Sequence, residues 1–387
     1  MSSLKGKAAI VGIADLKPTK STEETSLELT VKVAKMAIQD AGLDKGEIDG
    51  LLTNPGAGTF WSSVVGEYMH IYPNYSDVVD IGGASACGMV WRAAAAIEAG
   101  LCHTVLCVAA GNLRETRPEG TLVSQGWGSM RAEFENPYGP MGGVNSGYAL
   151  LAQRHMYEYG TTSEQLAKIA VDQRTNACAN PDAMFYGKPI TIADVLNSPL
   201  ISDPLHMLDI VMPCSGGSAF IITSAKRAKK AAQPQVWLLG AGEYRTHDSI
   251  VYAPSLTTTP AKGSAEMAFR MAQVTPKQID LVEPYDCYTI IVLVTLEDAG
   301  FCKKGQGGKF VEETDLTYKG QLPCNTHGGQ LSVGQAGGLG GGMSHVTEAC
   351  RQLMGRGGAR QVANPKLAFV NGNGGVMSEH CSLILGV

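Results

Sequence analysis

Short apolar runs alternate with longer alanine-rich stretches along the whole chain. The apolar runs have the length of buried strands, and the stretches between them have the character of helices. Strands are predicted in the segments AAIVGIA, DGLLTN, TVLCVAAG, AFIITSA, VWLLGAG, DLVEPYD and LAFVNGN. Strands that alternate with helices in this way are typical of the α/β class.

The two ends of the chain resemble each other in sequence. The segment 41–52 is echoed by 272–282, where both carry an Ile-Asp pair between a helix and a strand. The segment 82–100 has the same length as 337–355, and both open with a glycine pair and end on a glycine that can cap a helix. Two echoes in the same order predict a duplicated α/β chain with two similar halves.

The predicted halves are not contiguous in the sequence. Residues 1–111 and 198–232 form the N-terminal half, and residues 233–387 form the C-terminal half. Between them, 112–197 begins as a polar segment with glycine and proline and continues as helices. A long loop within a compact domain usually covers a site or an interface, so this insertion is expected to cover the active site.

Composition supports a large buried core. The chain has 387 residues, of which 44% are hydrophobic and only 17% are charged. Glycine accounts for 47 residues, well above its usual share of about 7%. Eight of the fifteen residues in 328–342 are glycine, without the three-residue period of collagen. Disordered and fibrous chains are therefore excluded, and the glycines are expected at tight turns.

Charge and cysteine usage narrow the function classes. The net charge is −5 and no basic run is present, so nucleic acid is not expected as a partner. The apolar runs are too short to cross a bilayer, and the N-terminal run is typical of a strand instead of a signal peptide. Ten cysteines occur without a CxxC pair, which argues against a zinc ribbon or a redox dithiol. A cytoplasmic protein without a bound metal is expected.

Three long segments carry a family resemblance. They are the helical insert that begins GYALLAQRHMYEYG, the segment YDCYTIIVLVTLEDAGFC and the segment NTHGGQLSVGQAGGLGGG. Together they resemble the lipid-transfer-protein, or sterol-carrier, branch of the thiolase superfamily. The resemblance implies a duplicated five-layer αβαβα fold, a homodimer, and an acyl-coenzyme A substrate with free coenzyme A as a second substrate. It also implies a possible partner, a small OB-fold subunit that binds zinc.

The chain departs from that family at all four of its usual chemical positions. The nucleophilic cysteine is replaced by Gly83, and the histidine of the Gly-His-Pro motif by Gln335. The second cysteine corresponds to Asn371, and the asparagine or histidine of the fourth motif corresponds to Tyr285. The thiolase mechanism therefore cannot be transferred to this chain unchanged.

Cys87 is a candidate for a relocated nucleophile. It lies one helical turn after Gly83, and helical side chains lean toward the N-terminus of their helix. Its sulfur could then occupy the space that Gly83 leaves open, where the helix dipole would lower the pKa of the thiol. The alternative is a buried cysteine in a helix that packs through small residues.

Two histidines and one tyrosine are candidates for acid/base chemistry. His327 lies in a loop that the implied fold directs at the active site, where it could act as an acid, a base or an oxyanion donor. His380 lies in a C-terminal strand, nine residues after Asn371, with a structural role as the alternative. Tyr285 could be a general acid or simply a packed aromatic residue. The remaining six histidines have the character of surface or helix residues: His70, His103, His155, His206, His247 and His345.

Amide and glycine positions complete the candidate site. Gln335 and Asn371 cannot transfer protons, but their amide groups can donate to a thioester or keto oxygen. Further candidates for binding the oxyanion or the substrate are Asn325, Gly338 and Gly374.

Three functions remain open from the sequence, of which the first is the leading prediction and the other two are alternatives. The first is thiolysis of an aryl or branched β-oxoacyl-CoA, with Cys87 as acyl acceptor. The second is a retro-aldol cleavage of a β-hydroxyacyl-CoA that uses Tyr285 and no covalent intermediate. The third is a catalytically inactive subunit that binds acyl-CoA.

Overall fold

The computed structural model describes residues 3–56, 60–116, 144–336 and 342–387. Five strands belong to the N-terminal half of the main sheet, which are β1 (Ala8–Asp15), β2 (Gly50–Thr53), β3 (Tyr75–Val78), β4 (Thr104–Gly111) and β8 (Gly216–Ser224). Four belong to its C-terminal half, which are β9 (Val236–Arg245), β10 (Leu281–Pro284), β12 (Leu367–Gly374) and β13 (Glu379–Gly386). Two small ribbons pair β5 (Leu200–Ser202) with β6 (Leu205–His206) and β7 (Pro213–Cys214) with β11 (Gln335–Ala336).

The strand order shows the duplication directly. The N-terminal half has the order β3-β2-β4-β8-β1, and the C-terminal half has the order β10-β12-β13-β9. Each half combines parallel pairs at its outer end with antiparallel pairs toward its first strand, β1 or β9. The halves are joined where Ala9 and Ile10 of β1 pair with Trp237 and Val236 of β9. The predicted duplicated αβαβα fold is confirmed.

Helices form the layers on either side of the strands. The longer ones are α1 (Ser26–Asp40), α2 (Trp61–Met69), α3 (Ser85–Glu98), α5 (Val144–Tyr159), α6 (Ser163–Cys178), α9 (Ala261–Ala272), α10 (Thr289–Asp298) and α13 (Met343–Leu353). The shorter ones are α4 (Leu113–Thr116), α7 (Ile192–Leu196), α8 (Ala225–Ala228), α11 (Gly307–Glu313) and α12 (Gly329–Val333). Helices α3 and α13 contact strands of both halves and form the middle layer. Helices α1 and α2 cover the outer face of the N-terminal half, and α9 and α10 that of the C-terminal half.

The sequence explains how the middle helices end. Helix α3 is followed by Gly100 at φ +75°, and α13 is followed at the equivalent position by Gly355 at φ +71°. Left-handed backbone at this position favours glycine, because glycine has no Cβ to clash with the preceding turn. The C-capping glycines of the two echoed segments therefore have the predicted role.

Helix α10 is buried around its whole circumference because both of its sides are covered. Every residue of Thr289–Asp298 is buried. One side packs on β10 and the other against α5 and α6, which come from the insertion 112–197. The boundaries predicted for the insertion and the two halves stay a prediction. Among the helices of the described residues, none is both long and apolar enough to cross a membrane.

Candidate active site

The starts of helices α3 and α13 meet in the middle layer, and the candidate site lies beside them. A Cβ added to Gly342 would overlap the carbonyl oxygen of Gly83. A Cβ added to Gly82, which has φ +58°, would lie 3.0 Å from Cα of Gly374. Three backbone segments therefore approach one another at distances that only glycine permits. Part of the glycine excess in the composition is explained here.

Tyr285 occupies the space above Gly83. The residue directly follows β10, and its backbone N–H donates to the carbonyl of Asn371 at 2.8 Å. A Cβ added to Gly83 would overlap Cε2 and Cζ of the Tyr285 ring and would lie 2.5 Å from the carbonyl oxygen of Asn373. Any side chain at position 83 would therefore displace the ring. The Tyr285 ring therefore fills the space that the side chain of a nucleophile at position 83 would occupy.

The Tyr285 hydroxyl is buried and hydrogen-bonded. The Nε2 of Gln335, in β11, donates to it at 2.8 Å. Burial raises the pKa of Tyr285 well above its usual value, with Cys287 acting in the same direction and the Gln335 amide acting against it. The phenol is therefore neutral and keeps its proton, while its oxygen accepts from Gln335 and the Gln330 side chain is a second hydrogen-bond partner. The structure thus brings together two residues that the sequence analysis named separately.

A second tyrosine borders the same place. Tyr148, in α5, donates to the carbonyl of Gly375 at 2.6 Å and accepts from Nδ2 of Asn373 at 2.7 Å. Its ring stacks on Tyr288 at 4.2 Å between centroids, and Tyr288 in turn hydrogen-bonds Asn145. The insertion therefore supplies a wall of the site that hydrogen-bonds to the end of β12.

Asn371 and His380 form a buried pair on neighbouring strands. Nδ2 of Asn371 donates to Ser382 at 2.8 Å, so its Oδ1 accepts from Nδ1 of His380 at 2.9 Å. Burial lowers the pKa of His380 to about 3, which keeps the imidazole neutral. A neutral ring whose Nδ1 carries the proton has a lone pair on Nε2, and this atom has no hydrogen-bond partner among the described residues. His380 is therefore not an acid at neutral pH, and its catalytic role stays a prediction.

The structure corrects the prediction for Cys87. The side chain lies in the core between the two halves, where the backbone N–H of Gly372 in β12 hydrogen-bonds it. Burial raises the pKa of its thiol to about 12, so the expected lowering is wrong in direction because desolvation outweighs the helix dipole. The sulfur also cannot fill the space over Gly83, since the Tyr285 ring is there.

His327 and Asn325 lie in the buried turn after β10 and its crossover. His327 contacts Ser344, Glu283 and His345, and burial lowers its pKa well below the usual value. The Asn325 amide is fully buried, and neither of its polar atoms finds a hydrogen-bond partner in the described part of the chain. The turn is thus occupied with a polar cluster of its own, and a direct role of either residue at the substrate stays a prediction.

The remaining predicted positions have simple outcomes. Gly374 packs against the carbonyl of Ile81, where a Cβ would clash, and its role in binding a substrate stays a prediction. Gly338 lies outside the described residues.

Sequence reasoning missed Tyr148, Tyr288, Asn373 and the buried His345. The only signal for them was the pair of tyrosines in the segment YDCY and the unusual density of polar groups near the glycine-rich strand end.

Comparison with known proteins places these features in a family. The family model described as "Thiolase C-terminal domain-like" matches residues 242–387. The chain is 33% identical to the steroid side-chain-cleaving aldolase of Thermomonospora curvata, over 92% of each chain. It is 32% identical to the 17-hydroxy-3-oxo-4-pregnene-20-carboxyl-CoA lyase of Mycobacterium tuberculosis, over 99% of this chain and 100% of that one. It is also 31% identical to the acetyl-CoA acetyltransferase of Methanothermobacter thermautotrophicus, over 96% and 98%.

Solved structures agree with the sequence relatives. The fold superimposes on a chain of the Ltp2-ChsH2(DUF35) aldolase with a TM-score of 0.90 and 33% identity. The match covers 100% of this chain and 99% of that one.

Proposed function

The chain belongs to the thiolase superfamily, in the branch of the sterol carrier proteins, and we propose that it cleaves a carbon–carbon bond of a β-hydroxyacyl-CoA by a retro-aldol reaction. The observation that carries this proposal is the Tyr285 ring in the space over Gly83. It removes the place of a thiol nucleophile and supplies a neutral hydrogen-bond donor instead.

Retro-aldol cleavage requires hydrogen-bond donors that stabilise an oxyanion, and it does not require a nucleophilic thiol. The β-hydroxyl proton passes to a base, the oxygen forms a carbonyl, and the Cα–Cβ bond breaks. Its electron pair moves onto Cα and the thioester oxygen as an enolate, and a proton returns to Cα. The products are a shortened acyl-CoA and a ketone or aldehyde. Hydrogen-bond donors aimed at the developing oxyanion are worth about 10²–10³ in rate each, and no covalent intermediate is needed.

In this mechanism Tyr285 donates to the thioester oxygen while Gln335 fixes the orientation of its hydroxyl. Tyr148 holds the amide of Asn373 at the end of β12, and so orients a second polar group beside the same space. Burial of both tyrosines keeps them protonated, which suits donation and makes each a weak base.

Thiolysis through Cys87 is disfavoured by the same geometry. A thiol with a pKa near 12 is almost wholly protonated at neutral pH, and the thiolate is the nucleophilic form. The relative named acetyltransferase shows that transferases belong to this family, so the two chemistries need a direct test.

The relatives also inform the substrate and the partner. Two carry names that refer to a steroid side chain or a pregnene carboxyl-CoA, so a bulky polycyclic β-hydroxyacyl-CoA is proposed in place of a linear one. The structural match is to a two-component aldolase, and a heteromeric assembly with a small OB-fold partner is proposed on that basis. A homodimeric core also remains a proposal.

Matched substrates test the proposed function. The protein, with any partner that co-purifies, is incubated with a β-hydroxyacyl-CoA and separately with the corresponding β-oxoacyl-CoA plus free CoA. Cleavage of the first without consumption of CoA, no acyl adduct by intact-protein mass spectrometry, and turnover within about twofold in Cys87→Ala are expected. An acyl adduct from the β-oxoacyl substrate that disappears in Cys87→Ala would establish thiolysis instead. If neither substrate is cleaved, the remaining hypothesis is the catalytically inactive subunit that binds acyl-CoA.

A further inference from the structure

A compact set of ionisable side chains lies buried next to the tyrosine site. Glu283 is in β10, His345 is in the first turn of α13, and His327 is in the turn between them in space. The side chains of all three are 5% exposed or less. One ligand-type atom from each lies within 4.8 Å of the other two. We call these three residues the Glu283 cluster.

The carboxylate of Glu283 is held so that one oxygen faces both imidazoles. Oε1 accepts from the backbone N–H of Thr326 at 3.0 Å and lies 3.1 Å from the Thr326 hydroxyl, which is closer to Oε1 of Glu348 at 2.8 Å. Oε2 lies 3.3 Å from Nδ1 of His345 and 3.4 Å from Nδ1 of His327. Two ring nitrogens therefore converge on a single carboxylate oxygen.

His345 is oriented from its far side. Its Nε2 lies 3.0 Å from Oδ1 of Asp286 and 3.1 Å from Nε2 of Gln330, and these contacts on one side of the ring leave Nδ1 facing Glu283. A carboxylate on one ring nitrogen that leaves the other free to bind a metal is the usual outer arrangement around a metal-bound histidine.

His327 supplies a second, independent observation that points to a cation site. Its Nδ1 is buried and has no partner of hydrogen-bond geometry in the described part of the chain. Its Nε2 lies 3.4 Å from Oγ of Ser344, which can accept the Nε2 proton. In that tautomer a nitrogen lone pair faces a carboxylate oxygen, and such a contact is repulsive unless a cation lies between the two atoms.

The geometry points to a divalent transition-metal site, of the zinc type, formed by Glu283 Oε2, His327 Nδ1 and His345 Nδ1. Ligands at tetrahedral angles and bond lengths of about 2.0–2.1 Å are separated by roughly 3.3 Å, which is close to the nitrogen–oxygen distances of 3.3 and 3.4 Å in the Glu283 cluster. A donor set of two imidazoles and one carboxylate suits Zn²⁺ and its neighbours better than Ca²⁺ or Mg²⁺.

The charges around the Glu283 cluster fit a dication. Glu283 and Asp286 are both acidic, whereas the nearby Glu348 is already paired with Arg360 at 2.8 Å and with Arg351. A cavity of about 840 Å³ borders His327 and Ser344 and gives an ion a route from outside. The site lies under the segment that carries Tyr285, and it goes beyond the proposed reaction because it would bind metal whether or not that reaction occurs.

Metal binding to the isolated chain tests the proposal without reference to activity. The protein is stripped with a chelator, incubated with Zn²⁺ or Co²⁺, freed of excess metal by gel filtration, and measured by elemental mass spectrometry. One metal ion per chain is expected. His327→Asn should reduce the retained metal at least tenfold, whereas the control His155→Asn, which removes another buried histidine beside a carboxylate (Glu297), should not change it.

Two readouts keep the test decisive if a variant folds poorly. In the wild type, Co²⁺ should give visible absorption bands of a nitrogen- and oxygen-ligated tetrahedral ion, without the charge-transfer band of a thiolate ligand. Less than a tenth of an ion per chain in the wild type would overturn the site and show that a proton on His345 alone balances Glu283. A thiolate band, or equal retention by both histidine variants, would also overturn it.

Discussion

Two buried polar groups lie close together in this protein and differ in almost every physical respect. The tyrosine site, made of Tyr148, Tyr285, Gln335 and Asn373, contains neutral groups joined by hydrogen bonds of 2.7–2.8 Å. The Glu283 cluster contains one carboxyl group and two imidazoles. Without a bound ion, burial raises the pKa of Glu283 to about 7, while hydrogen bonds to Asp286 and Glu283 outweigh burial and raise the pKa of His345 to about 9. A metal ion bound at Nδ1 of His345 would displace the proton from that nitrogen.

This difference indicates that the tyrosine site serves the reaction, whereas the buried charged groups serve the stability of the fold. Neutral donors in a dry site cost little to bury and can turn to a substrate oxygen, because no ionic partner holds them. Charged groups at similar depth need their partners to remain folded at all. Variants of the first group should therefore reduce turnover, and variants that unpair the second should reduce stability.

Arg360→Ala should give the largest stability effect. Arg360 holds the buried carboxylate of Glu348 at 2.8 and 3.0 Å, and its loss leaves this carboxylate only the longer ion pair with Arg351 at 3.4 Å. A decrease of about 3–5 kcal/mol in the free energy of unfolding is expected by urea titration. Lys309→Ala, which breaks an exposed pair with Glu313, should change it by less than about 0.5 kcal/mol. Similar decreases in the free energy of unfolding for the two variants would show that the buried ion pair contributes no more to stability than the exposed one.

Gly83→Ala should damage the tyrosine site most. The added Cβ would overlap the Tyr285 ring and approach the Asn373 carbonyl to 2.5 Å, so the ring must leave its position. A fall of about 10²–10³ in kcat is expected in a steady-state cleavage assay, with a stability loss of about 1–3 kcal/mol. Gly46→Ala, where the Cβ meets open space, is the matched control. An unchanged kcat in Gly83→Ala would show that the position of Tyr285 is immaterial.

His380 should make stability depend on pH. Its folded pKa of about 3 lies below the ordinary 6.5, so the unfolded chain binds the proton more tightly. Stability is then fully present above pH 6.5 and is lost as the pH falls toward 3, by about 2 kcal/mol at pH 4.5–5. His380→Asn keeps a donor for Asn371 but cannot titrate. Thermal melts from pH 7 to 4.5 should show a smaller decline for this variant, and parallel declines would refute the assignment.

Tyr148→Phe should have the smallest effect. The change removes one hydrogen bond to Asn373 and one to the Gly375 carbonyl and keeps the ring stack on Tyr288. A loss of about 1 kcal/mol in stability and about tenfold in kcat is expected from calorimetry and the cleavage assay. Tyr157→Phe changes a tyrosine that is 82% exposed, and it should alter neither the stability nor kcat. A large loss of stability without a change in kcat would show that Tyr148 stabilises the fold and does not contribute to the reaction.

The fold could be predicted in detail because it rests on repeated local signals. Apolar runs of strand length, the two echoed segments and their capping glycines are all properties of neighbouring residues, and they led to the duplicated α/β chain. The five-layer arrangement was implied by the family resemblance. The departures from the family pattern were also visible, since Gly83, Gln335, Asn371 and Tyr285 are read directly from aligned motifs.

The three-dimensional arrangement of the site residues was harder to predict from the sequence than the fold. The Cys87 prediction was wrong because helical spacing gives the direction of a side chain but not what already fills the space, and here a ring from residue 285 does so. His345 has the spacing of an ordinary helix residue, and only the tertiary structure brings it within 3.3 Å of Glu283. Desolvation, which sets the pKa of Cys87 and of His327, likewise depends on contacts that are remote in sequence.

The central claim is that Tyr285 replaces the family nucleophile as a hydrogen-bond donor. The most direct measurement is kcat for cleavage of a β-hydroxyacyl-CoA by Tyr285→Phe, which keeps the ring over Gly83 and removes only the hydroxyl, with Tyr186→Phe as an exposed control. The account predicts a loss of about 10²–10³ in kcat with unchanged stability and little change in KM. Turnover within twofold of the wild type would contradict it.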